Sequence, residues 1–177
     1  MSDSSRPLRH GQSFVGLLVV LLVLTLLTAS AASRVDLTRY RSDAMARRAT
    51  LVFVAAGRAA HHRRHAVVVL VDSAGKRLGT LHDVNGNGRA DRGERVAWTA
   101  LDGATVILDP PQRLPGPVSG TGSVRFQPSG GTVSDFVLYL TSNAGAPAAW
   151  RAVQVVQRSG LVQLWRYDGS RWARGRA

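Results

Sequence analysis

Residues 14–32, FVGLLVVLLVLTLLTASAA, carry no charge. A helix of about 19 apolar residues, rising roughly 1.5 Å per residue, is enough to cross a bilayer core. Whatever the rest of the chain folds into, this segment must be cut away, kept in lipid or covered by other protein. Arg6 and Arg9 precede it, so the N-terminus is expected to stay cytoplasmic. A basic leader, an apolar run and the small-residue site Ala29-Ser30-Ala31 also have the form of a secretory signal peptide. On that reading signal peptidase releases an exported domain.

The flank beyond the run favours a retained stem. Residues 33–65 contain no Pro and one Gly, so nothing interrupts a helix. Leu37, Tyr40, Ala44, Leu51, Val54 and Ala55 recur at spacings of three and four and predict one apolar stripe, interrupted by Arg47 and Arg58. The expectation is one helix of about 50 residues, roughly 80 Å long. Its transmembrane half covers 12–32 and its amphipathic half 33–65.

From Ala66 the pattern changes to β. The segments 66–72, 95–101, 104–108, 123–127, 136–141, 151–157 and 161–167 read as short strands separated by Gly, Asn, Asp and Pro clusters. Residues 109–122 hold four prolines and are expected to form a loop. The predicted fold class is therefore α+β: a long N-terminal helix packed on an antiparallel β domain over 66–177.

The chain has no cysteine, which excludes a disulfide scaffold and a thiol nucleophile. Its formal net charge is +12, carried by arginine except for Lys76, and suits an anionic partner such as lipid headgroups or nucleic acid. Enzyme chemistry finds no support. There is no nucleophile elbow, no P-loop and no paired-carboxylate site, and Ser119 and Ser123 lie in Gly-rich turns without a neighbouring His.

Three segments carry possible binding chemistry. Residues 83–94, DVNGNGRADRGE, fit the spacing of a calcium loop. Asp83, Asn85, Asn87, Arg89 (through its carbonyl), Asp91 and Glu94 stand at the ligand positions, and Gly88 at the turn. The flanks read as strands, not helices, so an Asn-Gly hairpin is the competing reading. Ca²⁺ is the one cofactor suggested, at weak affinity. In HHRRH, His61 and His65 have the spacing of half a zinc site, but no third ligand is evident. The competing reading is a basic helix end. At the C-terminus, Arg166, Arg171, Arg174 and Arg176 alternate with Trp165, Tyr167 and Trp172. That mixture can hold single-stranded nucleic acid, or can be a final hairpin with its aromatics in the core.

The basic leader ending in Gly11, the apolar half-helix and the amphipathic half-helix together resemble a type IV pilin or pseudopilin. The ordered segments DVNGNGRADRGE, GSVRFQPSGG and RAVQVVQRSGLVQLWRYDGSRW are similar to the GspH/FimT branch of minor pseudopilins. The resemblance implies a leader over 1–11, removed after Gly11 by prepilin peptidase, with Gln12 as the mature and methylated N-terminus. It also implies a single-pass inner-membrane subunit with a periplasmic β domain, which later joins a secretion pseudopilus or a type IV pilus through its stem. Its partners would be other pilins, the peptidase and membrane lipid. Gly16 stands where the family carries a glutamate, and this points to a tip or initiating position. Some pilus members bind DNA through a Gly-Arg-x-Arg patch. The corresponding stretch here, Gly160-Leu161-Val162-Gln163, has neither arginine.

Processing after Gly11 is the first prediction. N-terminal analysis of the processed protein should find Gln12 first, and Gly11→Ala should retain the leader. A mature start at Ala32 would instead identify an ordinary signal peptide.

Overall fold

The computed structural model describes residues 11–32, 37–101, 105–106, 109–115 and 122–175. The chain forms two compact units, 1–37 and 38–177. In the first, α1 spans Gly11–Ala32. Its described side chains run from residue 14 to residue 26, and its large apolar side chains there are 46–65% exposed. Within the described residues no helix is long and apolar enough to cross a membrane. The expected continuity of the helix falls on 33–36, outside the described residues.

α2, Leu37–Arg63, belongs to the second unit from its second residue onward. Its last turn carries His61, His62 and Arg63, cations suited to the negative end of the helix dipole. Arg64 then takes a positive φ of 56°, the left-handed turn that ends many helices. The strands follow as β1 Ala66–Asp72, β2 Arg77–Asp83, β3 Val96–Ala100, β4 Thr105–Val106, β5 Ser123–Phe126, β6 Phe136–Thr141, β7 Arg151–Val155, β8 Val162–Tyr167 and β9 Trp172–Arg174. They form two antiparallel sheets, ordered β3-β2-β1-β5 and β4-β6-β7-β8-β9. The α+β expectation holds for this unit.

The buried face of α2 differs from the stripe read in the sequence. Ser42, Met45, Ala46, Ala49, Phe53, Ala56 and Ala60 are buried, whereas Leu37, Tyr40, Ala44, Leu51 and Ala55 are exposed and Val54 is half-buried. At about 100° per residue the two sets lie on opposite sides of the helix. The physical reason is size. The face turned to the two sheets is lined mainly by the small Ser42, Ala46, Ala49, Ala56 and Ala60, and its two large side chains, Met45 and Phe53, fill the space they leave. Phe53 meets Phe136 with ring centroids 5.7 Å apart, and this core takes in Val67, Val69, Phe126, Leu138 and Val153 from both sheets.

β6 is buried along its whole length. Phe136, Leu138 and Leu140 face the α2 core; Val137 and Tyr139 face a second core with Leu114, Trp150, Ala152 and Tyr167. A strand covered on both faces reads as a continuous apolar run, which is why FVLYLT was legible. The 109–115 segment covers that second face. The Leu114 N–H donates to the Tyr139 hydroxyl at 3.0 Å, and the Gln112 carbonyl accepts the Trp172 indole N–H at 2.8 Å. Burial raises the Tyr139 hydroxyl above its ordinary pKa.

Two strands were absent from the sequence reading. β2 contains Gly79, which weakens a strand signal, yet the position needs it. A Cβ there would lie 2.6 Å from Val96 and 2.9 Å from the Trp98 ring, its partner across the pair. Arg77 stacks on the same ring, 4.3 Å from its centroid. β9 is three residues long and forms only because β8 offers an edge.

The face assignment is testable by denaturant unfolding of the full chain. Ala49→Leu should cost about 1–3 kcal/mol by overpacking, whereas Leu51→Ala should change stability by no more than about 0.5 kcal/mol. The opposite ranking would restore the stripe read from spacing.

Candidate functional site

The 83–94 loop joins β2 to β3. Asp83 ends β2, where it pairs in register with Ala66 of β1, and is 1% exposed. Its Oδ2 accepts the Gly88 N–H at 2.9 Å and lies 3.2 Å from the Arg125 guanidinium of β5. Arg125 also donates to the Gly86 carbonyl at 2.8 Å. The second oxygen, Asp83 Oδ1, is buried without a hydrogen-bond partner.

The rest of the loop folds around its own side chains. The Asn85 Oδ1 accepts the Asn87 N–H at 3.1 Å, and the Asn87 Oδ1 accepts the Arg89 N–H at 2.8 Å. Both asparagine amides donate to Asp91 Oδ2. Glu94 reaches back with both oxygens, accepting the Val84 N–H at 3.0 Å and the Asp91 N–H at 3.3 Å. Gly86, Gly88 and Gly93 have φ of 77°, 75° and 102°, values that side chains resist. The calcium-pattern residues therefore belong to one hydrogen-bonded loop. Among the described residues, no group of three or more His, Cys, Asp or Glu is gathered as a metal cage.

The histidines assemble differently from the i,i+4 expectation. His61 approaches the Pro128 carbonyl, and His65 Nε2 lies 3.1 Å from Nδ1 of His82 on β2. Partial burial, then the charges of Arg63 and His65, push the His82 imidazole below its ordinary pKa. His82 drew no attention in the sequence because its partner is brought to it only by strand pairing.

The C-terminal aromatics belong to the second core. Trp172 packs against Tyr139 and Tyr167 at 5.7 and 5.1 Å, and the Trp165 indole N–H donates to Gln154 at 3.0 Å. Arg166 lies 3.2 Å from Asp43 of α2, and Arg171 pairs with Asp168 at 3.4 Å. Arg174 is exposed on β9; Arg176 and Ser119 lie outside the described residues. The hairpin reading thus describes this segment. The stacking platform expected for nucleic acid is used in packing.

An apolar helix is followed by a helix seated on two antiparallel sheets, an α+β architecture. The fold is similar to the minor pseudopilin EpsH from the Type 2 Secretion System of Vibrio cholerae, with a TM-score of 0.50 at 16% identity, over 70% of this chain and 95% of that one. No curated protein matches the sequence. The family of type II transport protein GspH matches residues 31–160, and the chain belongs to that family.

The β8–β9 turn yields a further prediction. Backbone N–H groups of Arg171 and Ser170 hold the Asp168 carboxyl down to about 2. Because the folded value is depressed, this contribution to stability is present above the unfolded carboxylate range and is lost as pH falls toward 2. Asp168→Ala should speed amide exchange at Ser170 and Arg171 at neutral pH while leaving β6 and β7 protected. Unchanged exchange at those two amides would refute the role of the carboxylate.

Proposed function

We propose that this GspH-family chain is a minor pseudopilin, processed after Gly11, anchored in the inner membrane by its stem, and placed at the tip or initiating end of a type II secretion pseudopilus. The observation carrying the reading is α1. Its described side chains are apolar and exposed within its own unit. Such a helix needs lipid or the stems of other subunits around it. α2 adds a mixed surface on the side turned away from the core, where Leu37, Tyr40 and Leu51 are 58%, 71% and 68% exposed beside the exposed Arg47 and Arg58.

Gly16 supports the end position. A glutamate at this place in related stems supplies a carboxylate within an apolar bundle, where a charge is retained only if it is paired. A shaft built of this chain alone would lack that charge at every joint. A terminal subunit has one neighbour fewer and tolerates the loss. No atom lies within 4 Å of a Cβ built at Gly16, so Gly16→Glu fits sterically within the helix.

Quantitative mass spectrometry of sheared filaments should find this chain far below the major subunit. A photocrosslinker replacing Leu51 should capture the helix of another pilin-like subunit, and Gly16→Glu should raise incorporation. Recovery as the dominant subunit would overturn the end position. Recovery only as a free soluble monomer would overturn the filament role altogether.

A further inference from the structure

We propose that the cleft beside the C-terminal end of α2 is a docking site for an acidic segment of a partner protein, one that sets an apolar side chain next to a carboxylate. The cleft has a volume of about 430 Å³, within the range of built ligand pockets. α2 lines one side, and the β5–β6 and β7–β8 turns line the other.

Its lining joins two chemistries. Phe53 and Phe126 reach it from the core, 0% and 2% exposed, while Leu161 lines it from the surface at 48% exposed, together with the half-buried Val54 and Val162. Arg58, His61 and His62 line it as well, and all three are exposed. Among the described residues that line it there is no Asp or Glu. The helix dipole accounts for cations in the last turn of α2, but its effect fades within that turn, and Arg58 lies a turn earlier. An adjoining hollow shares His61 and His62 and adds Arg64, so the cationic side continues past the cleft.

Backbone contacts fix the walls. A Cβ at Gly131 would lie 2.5 Å from the Gln157 carbonyl oxygen, and one at Gly160 would lie 3.3 Å from Gly131, so the two turns meet main chain to main chain. The Thr132 N–H donates to the same Gln157 carbonyl at 2.7 Å. Gly57 seats α2 against β5, since a Cβ there would lie 3.3 Å from the Phe126 ring, and His61 Nδ1 donates to the Pro128 carbonyl at 3.3 Å. A site with its walls already set costs less to occupy than one that must be ordered on binding.

Charge selects the occupant. The chain carries a formal +12, so a second copy would bring like charge to this rim. A nucleic acid matches the rim but brings no side chain for the apolar lining. A segment with Leu or Phe flanked by Asp or Glu matches both. The site stands independently of the filament reading.

The test titrates the full chain in detergent with a fluorescent peptide, EDLLDE, at about 0.15 M salt to screen unspecific attraction. The controls are EDSSDE, QNLLNQ and a single-stranded oligonucleotide. EDLLDE should bind at least about tenfold more tightly than either control peptide. It should slow amide exchange at residues 57–62 and 159–162. Arg58→Gln with His62→Gln, and separately Leu161→Glu, should each weaken binding about tenfold. Arg89→Gln with Arg92→Gln, exposed arginines outside the cleft, should leave it unchanged. All three variants change surface positions, and a parental melting temperature confirms their fold. No binding of EDLLDE at about 1 mM overturns the proposal. So does equal binding of EDSSDE, which would leave charge alone, or parental affinity in both cleft variants, which would place the peptide elsewhere. An oligonucleotide that protects the same amides overturns the assignment to a protein segment.

Discussion

The close seating of α2 on both sheets is the contact on which the folded unit depends. Ser42, Ala46, Ala49, Ala56 and Ala60 are small enough to bring the helix near the strands, and Phe53 enters the space between them. Interiors packed this tightly accept little change in volume. The same contact decides what remains for other molecules. With the small residues turned inward, Leu37, Tyr40 and Leu51 are turned outward.

Polar contacts at the start of α2 set its register on the second sheet. Asp43 accepts from the Arg151 guanidinium at 2.6 Å, and Arg151 is 3% exposed and also donates to the Ala148 and Trp150 carbonyls. Ser42 and Ser142 place their hydroxyls 2.8 Å apart, and the Ser142 hydroxyl donates to the Thr38 carbonyl at 2.8 Å. Breaking a buried ion pair leaves an uncompensated charge, so such contacts specify position more than they add stability. The Asp43–Arg151 pair and the serine contacts add polar links between α2 and the second sheet.

The family match over residues 31–160 takes in α2 and most of the β unit, the 83–94 loop included. The proposed assembly surfaces are the stem and the outward side of α2. The 83–94 loop and the β8–β9 turn belong to the folded unit, and both use backbone N–H groups to hold carboxylates. Asp168 has every partner it needs from Ser170 and Arg171. Asp83, inside the fold, has one oxygen without any.

The sequence by itself determined the elements whose pattern is local. The helix signals of α1 and α2, the β-branched run of β1 and the apolar run of β6 are all legible because neighbouring residues carry the signal. Tertiary structure decided what depends on distant partners. Apolar residues occupy both sides of α2, so spacing marked a stripe without saying that the small-residue side would be buried. Gly79 looked like a strand breaker until Trp98 lay across it. The C-terminal aromatics suited either a ligand or a core until Tyr139 and Gln112 claimed Trp172. The calcium-like spacing was visible in the chain, but the buried, half-satisfied state of Asp83 arises only when strand pairing draws it inside and β5 brings Arg125 to one of its two oxygens.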